Sequence, residues 1–150
     1  MFKKETEYAL RALVYIQLQN SKNRRPGIAE IATEIETPPS FTAKILQRLV
    51  KQGFIDSIKG INGGFLFGDH RKELPLKKVI VSIEGDKLFT GCGFGLKHCD
   101  EDNPCPLHND YAPIRDAMNK LVEEETIQGL ARKNTRDGKI TLKRFNISDD

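Results

Sequence analysis

At 150 residues, 38% of them hydrophobic and 30% charged, the chain is long enough to bury a core without disulfide or metal staples and is expected to form one soluble domain. No apolar run approaches the roughly 20 residues of a membrane span, and the opening MFKKETEYALRALVYIQLQN breaks its apolar residues with Glu5, Glu7 and Arg11, unlike a signal peptide. A reducing, cytoplasmic setting is therefore the expectation. The net charge of +3 is uneven: residues 1–75 hold 12 Lys and Arg against 8 Asp and Glu, and the remainder 12 against 13. A mildly basic first half is compatible with a nucleic-acid partner.

In chain order, Tyr8, Ala9, Ala12, Leu13, Tyr15, Ile16 and Leu18 recur at helical spacing and predict a first helix over residues 4–19. SKNRRPG, residues 21–27, is a loop. Ile28, Ile31, Ala32 and Ile35 predict a short amphipathic helix, and PSFTAKILQRLVKQG predicts another that stops at Gly53. In FIDSIKGINGGFLF a strand (54–58), a glycine-rich turn (59–64) and a returning strand (65–67) follow one another. Three helices and a hairpin describe a winged helix-turn-helix, a mainly α fold with a small β wing.

At about 100° per residue, Phe41, Thr42, Ile45, Leu46 and Leu49 of the third helix share an inward face. Ser40, Ala43, Lys44, Gln47 and Lys51 share the outward one, with Arg48 at its edge. That outward face is small, polar and cationic, as a major-groove reader needs. Any surface helix can carry such residues; the hairpin tips the balance, because Lys59, Asn62 and Gly63 stand where a wing meets a phosphate or the minor groove.

After residues 1–75, LKKVIVSIEG predicts a short apolar linker helix, and a loop over about 87–109 follows. A long helix is then expected over 110–131, capped by Asp110 and starting near Pro113, with a stripe of Ile114, Ala117, Met118, Leu121 and Val122. Such a late stripe suits either packing on its own chain or dimerisation. In the tail, 132–150, GKITLKRF alternates enough for a strand without an assigned role, and residues 146–150 look disordered.

All three cysteines fall in CGFGLKHCDEDNPCPLH, spaced C-x6-C-x5-C-x2-H and ending at His108. The pattern lacks the C-x2-C pairs of zinc ribbons and bacterial ferredoxins. Three thiolates and an imidazole suit tetrahedral zinc and an iron–sulfur cluster alike, and the residues alone leave these two open. His98 reads as an exposed loop residue, and His70 has no evident partner. No nucleophile–base pair or carboxylate dyad is present, and GINGG lacks the G-K-[ST] ending of a P-loop, so an enzyme is not expected.

With YALRAL in the first helix, IAEIA in the second, SFTAKILQRLVKQGFI in the third and KGINGGFLF in the wing, the chain resembles the Rrf-type family of bacterial winged-helix transcriptional regulators over residues 8 to about 130. The resemblance implies a homodimer with crossing long helices, a roughly palindromic double-stranded DNA operator, and an iron–sulfur cluster sensing redox, nitric oxide or iron–sulfur status near the dimer interface. It places Cys92, Cys99 and Cys105 as ligands. His108 stands where IscR-like members have a histidine ligand to a [2Fe–2S] cluster, which favours that cluster over [4Fe–4S]; the partner subunit's Glu7 is a less favoured fourth ligand, as in NsrR-like members. Two departures stand out: Ala43 replaces a glutamate that takes part in operator choice in IscR-like members, and Lys59 replaces the more usual arginine, keeping the charge but losing the bidentate fork. The competing readings are a zinc- or thiol–disulfide-dependent regulator and, in a different class, a small iron–sulfur carrier or scaffold.

Overall fold

The computed structural model describes residues 1–137 and 141–143, with side chains from 134 to 137 left aside. Helices α1 (Lys4–Asn20), α2 (Ile28–Glu34) and α3 (Pro39–Lys51) are followed by strands β1 (Asp56–Ile58) and β2 (Gly64–Leu66), then by α4 (Leu76–Glu84), α5 (Lys87–Thr90), α6 (His108–Glu124) and α7 (Ile127–Asp137). The expected strand over 138–145 and the tail at 146–150 lie largely outside the described residues; residues 141–143 form no strand.

The core gathers one face of each helix. Ala9, Ala12, Leu13 and Ile16 of α1, Ile31 of α2, Ile45, Leu46 and Leu49 of α3, and Val79 and Ile80 of α4 are all buried. Fully burying each leucine, isoleucine or valine among them contributes about 1.5–3 kcal/mol before the entropy of ordering is subtracted. Between α2 and α3 the chain turns through Glu36 at φ 54, and the buried hydroxyls of Thr37 and Thr42 satisfy each other at 2.7 Å. Arg48 braces α3 from outside: its guanidinium meets Glu5 at 2.9 Å and donates to the Ser82 carbonyl at 2.8 Å, tying α3 to α1 and α4.

Phe41 does not pack inward as its helical angle predicts. It stands 57% exposed on the first turn of α3, while Thr42, Ile45, Leu46 and Leu49 fill the expected places.

The wing is an antiparallel pair in the register Asp56↔Leu66, Ser57↔Phe65, Ile58↔Gly64. It is fastened at its base. The side-chain amide of Asn20 donates to the Phe65 carbonyl at 3.2 Å and its oxygen accepts the Phe67 amide at 2.8 Å. The Phe65 amide donates to the Pro26 carbonyl at 3.0 Å. Gly64 has φ +140, and a Cβ there would lie 2.3 Å from the Arg25 carbonyl oxygen, so only glycine lets the strand lie this close.

The long C-terminal helix differs from expectation at both ends. It begins at His108 rather than near Pro113, with Asp110 in its first turn rather than at the cap. Pro113 lies inside and forgoes one backbone bond, a tolerable loss this early in a 17-residue helix. It also ends at Glu124 instead of running to 131. The chain there bridges to the start of α4: the Leu76 amide donates to the Glu125 carbonyl at 3.0 Å, and the Ile127 amide to the Leu74 carbonyl at 2.9 Å. Thr126 then caps α7 by accepting the Gly129 amide at 2.9 Å. Helix α7 turns back onto α1 and buries Ile127 and Ala131 in the shared core.

The stripe on α6 divides accordingly. Val122 is buried and Met118 half-buried against the core, while Ile114 (65%) and Leu121 (57%) are exposed with Ala117 between them. Among the described residues no helix is long and apolar enough to cross a membrane.

Candidate functional site

The outward face of α3 and the wing form one surface. Ser40, Lys44, Gln47 and Lys51 are exposed along the helix, Ala43 is half-buried, and Lys59, Ile61 and Asn62 project from the hairpin. Between them runs a groove of about 620 Å³, lined by Gln47, Lys51, Ser57, Lys59, Gly60 and Gly63 among others. The turn is held by Asn62 at φ 63 and by the Gly63 amide donating to the Gly60 carbonyl at 3.0 Å. Arg25, not singled out from the sequence, lies beside this tip, with Nη1 3.5 Å from the Asn62 carbonyl. Arg48 belongs elsewhere: its charge is committed to Glu5 and to backbone carbonyls behind the helix, and the edge position assigned by helical angle turns it toward α4.

The thiol stretch forms a second site at the foot of α6. Helix α5 anchors it from one side through buried Phe89, over whose ring Lys77 sits at 5.7 Å. Tyr111 of α6 closes it from the other, its ring so near Gly93 that a Cβ there would approach within 2.6 Å.

Between these supports the four candidate ligands stand as two pairs. Cys92 Sγ lies 3.6 Å from Cys105 Sγ, and Cys99 Sγ lies 3.4 Å from His108 Nδ1. All four are half-buried, and none of the three cysteines is in a disulfide. Two thiolates on one tetrahedral metal, each about 2.3 Å from it, stand about 3.8 Å apart, so the first pair is already near ligand spacing. Among the described residues, no group of three or more His, Cys, Asp and Glu side chains is gathered as a single-ion site would require.

The surroundings of Cys92 favour anionic sulfur. Backbone amides of Leu96 and Phe94, the latter 3.4 Å from the sulfur, hold the Cys92 thiol below its ordinary pKa against the opposing effect of burial, with smaller help from Cys105 and Gly95. Arg115, two helical turns beyond His108, donates from Nη1 to Cys99 Sγ at 2.9 Å. Sequence reasoning missed it; the signal that could have found it is its seven-residue spacing from His108, which puts both on one face of α6.

The other candidates stand apart from the pairs. His98 is exposed in the loop. Glu7 is exposed on α1, in a shallow hollow with Phe2, Leu10 and Arg11.

Known proteins resemble the chain along most of its length. The HTH-type transcriptional regulator NsrR of Oceanobacillus iheyensis is 29% identical over 131 residues, covering 87% of this chain and 88% of that one. The HTH-type transcriptional regulator IscR of Pectobacterium atrosepticum is 24% identical over 123 residues, covering 82% and 74%. Among solved structures, CymR, the global cysteine regulator of B. subtilis, superposes with a TM-score of 0.70 at 18% identity, covering 89% of this chain and 97% of that one. IscR of T. potens does so with a TM-score of 0.68 at 13% identity, covering 94% and 92%. These structural likenesses carry the winged-helix fold, and the sequence relatives are named as regulators of transcription rather than as enzymes. Residues 2–133 match the family described as "Rrf2: Iron-dependent Transcriptional regulator", and the chain belongs to that family of DNA-binding transcriptional regulators.

Proposed function

We propose that this regulator is a cytoplasmic homodimer that reads a roughly palindromic DNA operator and senses redox, nitric oxide or iron–sulfur status through a cluster held by Cys92, Cys99, Cys105 and His108. The observation that carries this reading is the division of the ligands into a Cys92–Cys105 pair and a Cys99–His108 pair. A [2Fe–2S] cluster needs two ligands on each of two irons, and a mixed thiolate–imidazole set is a known way to fill them. Zinc would need all four donors around one point. The partner subunit's Glu7 is the less favoured fourth ligand, because His108 already lies beside Cys99.

In this reading Ser40, Ala43, Lys44, Gln47 and Lys51 face the major groove, and Lys59, Asn62 and Gly63 of the wing meet the backbone or minor groove. Ile114, Ala117 and Leu121 supply the dimer face on α6, so residues 1–75 form the reader, 76–109 the linker and sensor, and α6 the dimer element. The ligands hold the loop at the foot of that helix. Releasing them frees the foot of α6 and alters how the two readers are spaced.

The test is iron and sulfide analysis of anaerobically purified protein, together with operator binding before and after the metal is removed. Equal iron and sulfide, visible absorption and an affinity change on removal are expected. Stoichiometric zinc without sulfide would overturn the cluster, and DNA affinity indifferent to salt would favour a carrier or scaffold. A second reading, thiol–disulfide switching, is favoured by the 3.6 Å Cys92–Cys105 contact; it predicts a metal-free protein whose affinity follows oxidant and is restored by dithiothreitol.

A further inference from the structure

Arg115 turns its charged side chain from α6 into the thiol site. Its side chain is only 11% exposed, whereas that of its neighbour Asp116, 3.1 Å away, is 67% exposed. Besides Asp116, its guanidinium faces Cys99 Sγ at 2.9 Å and the Gly91 carbonyl at 3.4 Å. An arginine cannot discard its proton, so a nearly buried guanidinium calls for a negative partner in place of water. A solvent-facing carboxylate on the adjacent residue answers that need poorly, and the Cys99 sulfur, anionic once it serves as a metal ligand, answers it directly.

We infer that Arg115 is a positioning residue that sets the reduction potential of the cluster proposed for this site, by placing a fixed positive charge and a hydrogen bond on the Cys99 sulfur. The inference rests on the iron–sulfur reading. With three thiolates and a neutral imidazole, an oxidised [2Fe–2S] site carries a single net negative charge, and uptake of one electron doubles it. A cation hydrogen-bonded to a ligand sulfur stabilises the more negative state more strongly, so it raises the potential. The same side chain ties the loop at Gly91 and Cys99 to α6, so the electronic state of the site bears on the helix proposed as the dimer element. Reduction makes and breaks no bond in the protein; in the test below, dithionite supplies the electron.

The experiment compares full-length wild type, Arg115→Gln and Arg115→Lys, each loaded and purified anaerobically. Midpoint potentials are read by visible absorption during dithionite titration, and iron and sulfide are counted in each. The Gln variant should keep its cluster but favour the reduced state at least tenfold less than wild type, a fall of about 59 mV for a one-electron couple. The Lys variant, which keeps the charge, should stay within threefold of wild type. A Gln potential within threefold of wild type overturns the inference. So does an equal fall in both variants, which assigns the effect to packing. Should the Gln variant fail to load, loading of the Lys variant supports the role of charge, and failure of both overturns it. Wild type that takes up neither iron nor sulfide removes the cluster reading itself, and that failure shows before any substitution is made.

Discussion

The proposed DNA-reading surface and the thiol loop sit on one chain but are supported by different means. Helix α3 rests on a continuous apolar core: Ile45, Leu46 and Leu49 are buried beneath it, and Arg48 clamps it from behind. The wing is pinned by Asn20 and by the close approach of Gly64 to Arg25. None of residues 91–107, by contrast, is buried, and Phe94 and Leu96 are more than half exposed. That loop depends on its ends, at Phe89 and Tyr111, and on contacts among its own sulfurs, His108 and Arg115. The difference teaches where sensitivity belongs. On the proposed function, a reader must hold its shape to discriminate base sequences, while a sensor must change shape for little free energy when its ligands let go.

The contrast breaks most sharply at the thiols. Cys92→Ala, Cys99→Ala and Cys105→Ala should each reduce bound iron and sulfide to near background while leaving the apo-protein's thermal midpoint within about 1 °C, because none of these side chains supports the core. A large loss of apo-protein stability would mean that loop and core are one cooperative unit. If all three variants bound operator like the intact holo-protein under every redox condition, the sensor would be uncoupled from the reader.

The opposite substitution spares the sensor. Lys44→Ala with Lys59→Ala removes two exposed cations from the reading surface. If both meet phosphates, the slope of log K against log salt should become shallower by about 1.8 per protomer, at about 0.9 per phosphate. Visible absorption and iron content should not move. An unchanged slope would place the DNA elsewhere.

A third substitution separates assembly from folding. Leu121→Glu sets a charge on the exposed face shared with Ile114 and Ala117. In solution the mass should fall from dimer to monomer, and operator affinity should drop at least tenfold as the two half-sites cease to be bound together. The protomer's own stability should change by no more than about 0.5 kcal/mol, as expected for an exposed position. A dimer of unchanged mass would move the interface off α6.

Much of the reader was legible because local patterns and tertiary burial agree there. Ile28, Ile31, Ala32 and Ile35 announce α2 by spacing, and the glycines of the wing announce the hairpin. Several of the misses trace to contacts distant in sequence. EEETIQG carries one local cue, the N-cap residue type Thr126, to the break between α6 and α7. The break is made by the bridge to Pro75 and by Thr126, whose hydroxyl both caps α7 and donates to Glu73 at 3.1 Å. Phe41 stands 57% exposed while its neighbour Thr42 takes the buried place in the first turn of α3, a choice between adjacent residues that periodicity cannot report. At the thiol stretch the sequence supplied the donor types but not their pairing, and Arg115 resembles any helical surface cation until the loop folds across it.

The smallest expected effect tests the solidity of the reader's support. Tyr15 of α1 donates its hydroxyl to Glu30 of α2 at 2.8 Å, and Arg24 meets the same carboxylate at 2.9 Å. Burial, then the hydrogen bond and charge of Glu30, push the Tyr15 phenol up to about 12 from its ordinary 10.0. The folded state therefore holds this proton more tightly than the unfolded chain does. Its contribution is complete below about pH 10 and is lost as pH rises toward about 12, where the folded phenol also ionises. Tyr15→Phe removes that dependence, so the stability difference between wild type and variant, measured by urea unfolding, should be constant at neutral pH. It should shrink between about pH 10 and 12, while lysines titrating in both proteins cancel. A constant difference across that range would mean that the α1–α2 contact opens locally before the domain unfolds, and that the reader is less firmly braced against the loop's changes than its core implies.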